Sequence, residues 1–94
     1  MGSELEKSWE AKLVRWCKSK GLLCLKYENQ NETGYPDRIV ITREGKHIWI
    51  ECKREGESAR NLQLYRMEQL RGRKVVVQCV DSLQKAIALI EEHL

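Results

Sequence analysis

GYPDRIVITREGKHIWIECK, residues 34–53, places Asp37, Glu51 and Lys53 at the ends of two apolar runs separated by a turn at Glu44-Gly45. The runs read as hairpin strands, about Asp37 to Thr42 and about Lys46 to Lys53, with Pro36 suited to the start of the first rather than its middle. Ionic groups among strand residues cost several kcal/mol or more, roughly, unless they are paired or hold a cation. Alternation sends Trp49, Glu51 and Lys53 one way and Ile48, Ile50 and Cys52 the other. A two-residue loop, Glu44-Gly45, would set Asp37 across from Cys52. A three-residue loop, Arg43-Glu44-Gly45, pairs Thr42 with Lys46 and sets Asp37 across from Glu51, with Gly45 in the left-handed position such loops require. We predict the three-residue loop, or a bulge of the same effect.

Two opposed carboxylates lie about 5 Å apart at Cβ and repel each other. A hard divalent cation reverses that sign, and Mg²⁺ or Mn²⁺ accepts two or three carboxylate or carbonyl oxygens while keeping several waters. Such an ion lowers the pKa of a bound water and stabilises charge on a phosphoryl oxygen, and Lys53 would stand beside that charge. A Glu51–Lys53 ion pair on an edge strand, with Asp37 capping a turn, accounts for so short a pattern equally well.

Outward from the hairpin, about Glu4 to Ser19 lacks Gly and Pro and repeats apolar residues at Leu5, Trp9, Leu13, Trp16 and Cys17, which predicts an amphipathic helix ended by Gly21. Glu6 and Glu10 fall inside its apolar arc, about 100° and 140° from Leu5. Leu22 to Tyr27 reads as a strand, followed by a polar loop, 28–34, long enough to be mobile. After the hairpin, Ser58 or Asn61 can cap a helix running to about Arg71 and stopped by Gly72. Lys74 to Val80 reads as a strand buried on both faces. Asp81 or Ser82 then caps a last helix with Leu83, Ile87, Ile90 and Leu94 on its buried side. The order helix, three strands, helix, strand, helix predicts an α/β domain with a mixed sheet flanked by helices.

The 94 residues allow one domain, 1–94, and 41% hydrophobic with 33% charged residues is the composition of a folded globular chain. No apolar run approaches a membrane span, and the amino terminus lacks the features of a secretory signal, which predicts a cytoplasmic protein with no membrane partner. Cys17, Cys24, Cys52 and Cys79 form no CxxC pair and read as buried hydrophobes in a reducing compartment. A net charge of +3 permits a polyanionic partner without demanding one.

Pro36-Asp37, a hairpin, and Glu51-x-Lys53 before a helix resemble the PD-(D/E)XK nuclease superfamily. Gly34-x-Pro36-Asp37-Arg38, Ile50-Glu51-Cys52-Lys53, and Gln63 with Leu70 resemble more narrowly its VRR-NUC (virus-type replication-repair nuclease) family in the short stand-alone form, which Trp9-Glu10-x-x-Leu13-Val14 before Gly21 also fits. The resemblance implies a restriction-endonuclease-like αβββαβ core plus a carboxyl-terminal helix. It implies Mg²⁺ or Mn²⁺ held by Asp37, Glu51 and the Cys52 carbonyl, with Glu10 as a further carboxylate acting directly or through water. Lys53 would position or activate the attacking water, and Gln63 would orient Lys53, water or the scissile phosphate. The family often carries a small hydroxyl residue three positions before that glutamine, where this chain has Arg60.

The activity implied is metal-dependent DNA phosphodiester hydrolysis, as a homodimer resolving Holliday junctions. The alternatives are a nuclease for flaps or other branched DNA and a module that grips branched DNA without cutting. Arg38 and Arg54 are candidate phosphate contacts, with Arg60 and the Arg71-Gly72-Arg73-Lys74 cluster behind them.

Overall fold

The computed structural model describes the backbone of residues 2–94 and the side chains of residues 8–94, so Leu5 and Glu6 lie outside the described side chains. The elements follow the order α1 (Gly2–Ser19), β1 (Leu23–Lys26), β2 (Arg38–Ile41), β3 (His47–Cys52), α2 (Asn61–Arg71), β4 (Val76–Val80) and α3 (Leu83–Glu91). The sheet order is β1-β2-β3-β4, the first two pairings antiparallel and the last parallel, with α2 as the crossover between β3 and β4. This is the mixed-sheet α/β fold read from the residue pattern.

The hairpin takes the three-residue loop. Ile41 pairs with His47 and Arg38 with Ile50, the register that sets Asp37 across from Glu51. Thr42 N donates to Lys46 O at 2.9 Å, Gly45 N donates to Thr42 O at 3.0 Å, and the Thr42 hydroxyl accepts from Lys46 N at 3.0 Å. Gly45 has φ +88°, the left-handed region the loop demands of it.

One face of the sheet is the main core. Val40, Ile48, Ile50, Cys52 and Val80 meet Leu13 and Cys17 of α1 and Ala86, Leu89 and Ile90 of α3, all buried. Burying such side chains contributes about 1.5–3 kcal/mol each. The other face is covered in part: α2 lies over β4, where Met67 and Val77 are buried, while Leu23 and Leu25 of the edge strand β1 stay 57% and 44% exposed.

Four local readings are corrected. The α2 N-cap is Arg60, not Ser58 or Asn61, because Arg60 is the last extended residue, φ −79° and ψ 166°, and its amide is held by the Gln63 side-chain oxygen at 2.8 Å. α2 does run to Arg71 with Gly72 as its C-cap, although Gly72 itself keeps helical dihedrals, φ −62°. The left-handed residue is Lys74, φ 65°, where Val75 N donates to Leu70 O and Lys74 N to Arg71 O in a Schellman pattern, so β4 starts only at Val76. β4 is an edge strand in which Val77 and Val80 are buried, Val76 and Cys79 half-buried and Gln78 exposed, not a strand buried on both faces. In α3 the buried residues are Ala86, Leu89 and Ile90; Ile87 is half-buried and Leu94, beyond the helix end, is 60% exposed. Ser82 does cap α3, accepting from Lys85 N, and the left-handed Gly21 does end α1.

Candidate active site

β3 carries Glu51 and Lys53 out of the face opposite the core. Glu51 is only 4% exposed, and its Oε2 accepts from Gln63 Nε2 at 2.9 Å and lies 3.4 Å from Lys53 Nζ. Its Oε1 is buried and receives no hydrogen bond among the described residues. Gln63 is held from both ends, since its Oε1 is the acceptor that caps α2 at Arg60. That double duty fixes the amide's orientation, so Nε2 must face Glu51.

Asp37 enters from the start of β2. Hydrogen-bonded pairs alternate from Thr42 opposite Lys46, which makes Asp37 and Glu51 a pair without mutual backbone bonds, the kind whose side chains stand closest. Pro36 has left the ladder, and the Asp37 carboxylate takes over as acceptor for the next amide, Cys52 N, at 3.2 Å. Lys53 N points the opposite way, to Val80 O at 2.9 Å on β4. A strand residue sends its N–H and C=O to the same side, so the Cys52 carbonyl projects toward the Asp37 side. Across the parallel pairing, Cys79 faces Glu51; burial first, then the Glu51 charge, pushes its thiol pKa up.

The structure does not bring Glu10 and Arg38 into this group. Arg38 shares its face with buried Val40, and its Nε donates to Glu10 Oε2 at 2.6 Å, joining α1 to β2 on the core side of the sheet. Burial opposes the Arg38 charge, but the hydrogen bond and charge of Glu10 outweigh it and raise the guanidinium pKa. With its side chain 16% exposed, Arg38 serves this internal pair rather than an outer surface. Arg54 and Arg60 are exposed beside the site, whereas Arg71 and Arg73 donate to the Val77 and Gln69 carbonyls. Trp9, one of the apolar repeat positions of α1, donates from Nε1 to Lys53 O at 2.9 Å and so anchors the end of β3. Nothing in the local pattern signalled that bond, which spans 44 positions.

Among the described residues, no three His, Cys, Asp or Glu side chains converge as a ready metal cluster. A hard cation that retains waters needs fewer, and the paired carboxylates of Asp37 and Glu51 with the adjacent Cys52 carbonyl form an all-oxygen donor set of the right chemistry. Also among the described residues, no helix is long and apolar enough to cross a membrane.

No protein-family model matches the chain. A phage protein described as "Putative nuclease p44", from Acyrthosiphon pisum secondary endosymbiont phage 1, is 37% identical over 59 residues, covering 63% of each chain. The match thus spans less than two thirds of that relative's length. Among solved structures, one described as a VRR_NUC domain superposes with TM-score 0.85 and 26% identity over 96% of this chain and 98% of its own. A second, a VRR_NUC domain protein, has TM-score 0.75 at 19% identity over 92% and 84%, a likeness of fold. The agreement of fold over nearly the whole length, with Pro36-Asp37 and Glu51-Cys52-Lys53 brought together across one hairpin, makes the chain similar to the VRR_NUC domain structures.

Proposed function

We propose that the protein is a divalent-metal-dependent DNA endonuclease for branched substrates, acting as a homodimer on four-way junctions. The observation that carries this reading is the opposition of Asp37 and Glu51 across the β2–β3 pairing, with Lys53 and Gln63 both directed at Glu51. Asp37, Glu51 and the Cys52 carbonyl would hold Mg²⁺ or Mn²⁺, which supplies Lewis acidity toward a phosphoryl oxygen and a more acidic water. Lys53, an ammonium on a flexible stem beside Glu51, orients the attacking water and offsets negative charge growing on the phosphate oxygens. Gln63, fixed at both ends of its amide, keeps the Glu51 carboxylate from rotating and leaves Lys53 to meet the substrate. Glu10 supports the site through the fold, by holding Arg38 next to Asp37 in the chain.

Two symmetric cuts in a two-fold junction suit two copies of a one-site chain. The exposed Leu23 and Leu25 of β1, on the part of the sheet that α2 leaves open, offer an apolar surface for that pairing. Cleavage of junction, flap, nicked and linear DNA with Mg²⁺ or Mn²⁺ tests the activity, and sedimentation of the native protein tests the dimer. Junction binding without cutting in either metal would establish a binding module instead. If the dimer meets six to ten phosphates, affinity falls by about 10³ to 10⁵ between 50 and 200 mM salt.

A further inference from the structure

We propose that Arg66 is a positioning residue that sets where Asp37 stands relative to Glu51, an inference that rests on the nuclease reading above. Arg66 lies three residues after Gln63 on α2, and its side chain is only 14% exposed. Its Nε donates to Thr33 O at 3.0 Å, and its guanidinium lies 4.8 Å from the Tyr35 ring centroid and 5.7 Å from that of Tyr65. A further nitrogen donates to Gln69 Oε1 at 3.3 Å, which braces the plane from its own helix.

Between the two points that Arg66 holds, Gly34 has φ +94°, and a Cβ there would meet Leu62 Cγ at 2.7 Å. The loop backbone therefore lies directly on α2. From its other side, Tyr35 meets Tyr27 edge-on at 6.1 Å, and Tyr27 packs on Trp49 of β3 at 5.1 Å. Tyr27 N donates to Asp37 O at 2.7 Å. The segment 33–37 is thus clamped between α2 and the sheet, and the loop expected to be mobile is tied down at its carboxyl end.

One helix then references both carboxylates: Gln63 reaches Glu51 directly, and Arg66 reaches Asp37 through Thr33 and Tyr35. Only a planar guanidinium can stack on a ring and donate sideways to a carbonyl at once, so lysine is not an equivalent. A misplacement of about 1 Å at such a distance from the chemistry costs about 10²-fold in rate.

The test compares full-length wild type with Arg66→Gln, Arg66→Lys and Tyr35→Leu, the last loosening the same clamp from the loop side should an Arg66 variant fail to fold. Each is assayed below its own Tm for kcat and KM on a four-way junction. Without DNA, the Mn²⁺ midpoint is read by thermal shift and by tryptophan fluorescence. We expect the Mn²⁺ midpoint to rise and kcat to fall by about 10- to 100-fold, with KM unchanged and no rescue by lysine. Wild-type kcat and Mn²⁺ midpoint in folded variants would overturn the proposal, and so would a raised KM at unchanged kcat, which marks a DNA contact. A wild type that neither cuts DNA nor responds to Mn²⁺ or Mg²⁺ would overturn the nuclease reading and this proposal together.

Discussion

Replacing Asp37 by Asn should reverse its effect on stability when metal is added. Asn retains an oxygen acceptor for Cys52 N, so the 3.2 Å bond that closes the ladder survives. What is lost is one of two like charges opposed across the hairpin, a pairing that costs about 0.2–1 kcal/mol. Lys53, 3.4 Å from Glu51, already offsets part of that repulsion, so the low half of the range applies. With about 4–8 °C of Tm per kcal/mol for a domain of this size, chelator-treated Asp37→Asn should melt about 1–5 °C above wild type. At Mn²⁺ ten times its Kd, the native wild type gains about 1.4 kcal/mol. That is about 6–11 °C, and the variant should gain only a small part of it. Calorimetric melts of both proteins, with chelator and with Mn²⁺, should therefore show the order of stability cross. Equal Mn²⁺ responses in the two proteins would refute the shared-carboxylate site, and a variant less stable than wild type in chelator would refute the repulsion argument.

Gln63→Ala removes both the α2 cap and the donor to Glu51, and chemical denaturation should show a loss of about 2–3 kcal/mol, with cleavage falling in parallel. Glu10→Ala strands the Arg38 charge and should cost about 3–5 kcal/mol equally with and without Mn²⁺. A loss seen only with metal would return Glu10 to the ligand set. Gly45→Ala meets no atom within 4 Å yet must hold φ +88°, so melts should show a loss of about 1 kcal/mol. Lys74→Gly, at φ 65°, should gain about 0.5–1 kcal/mol by the same measurement, and a loss there would contradict the Schellman assignment.

The hairpin was legible because its information is local. Side-chain alternation and the length of one loop decide whether Asp37 faces Glu51 or Cys52, and Gly45 selects the loop. The cap reading at Asn61 and the strand start at Lys74 failed because the sequence pattern weighs each residue's own preference. In the fold, the cap is supplied by Gln63, a side chain already recruited to Glu51, and the left-handed turn falls on Lys74, where the α2–β4 connection needs it. Glu10 was placed correctly on the inward arc of α1, but its partner depended on which face of the sheet that helix covers.

By itself, then, the sequence determined the element order, through the period of its apolar residues, and the hairpin register that pairs Asp37 with Glu51, through turn geometry within one short stretch. Tertiary structure alone decided that Glu10 pairs with Arg38, that Trp9 holds the end of β3 and that Arg66 grips Thr33 and Tyr35. Those contacts join residues 28, 44 and 33 positions apart, through the packing of helices on opposite faces of one sheet. No local periodicity encodes which side chains such packing brings together.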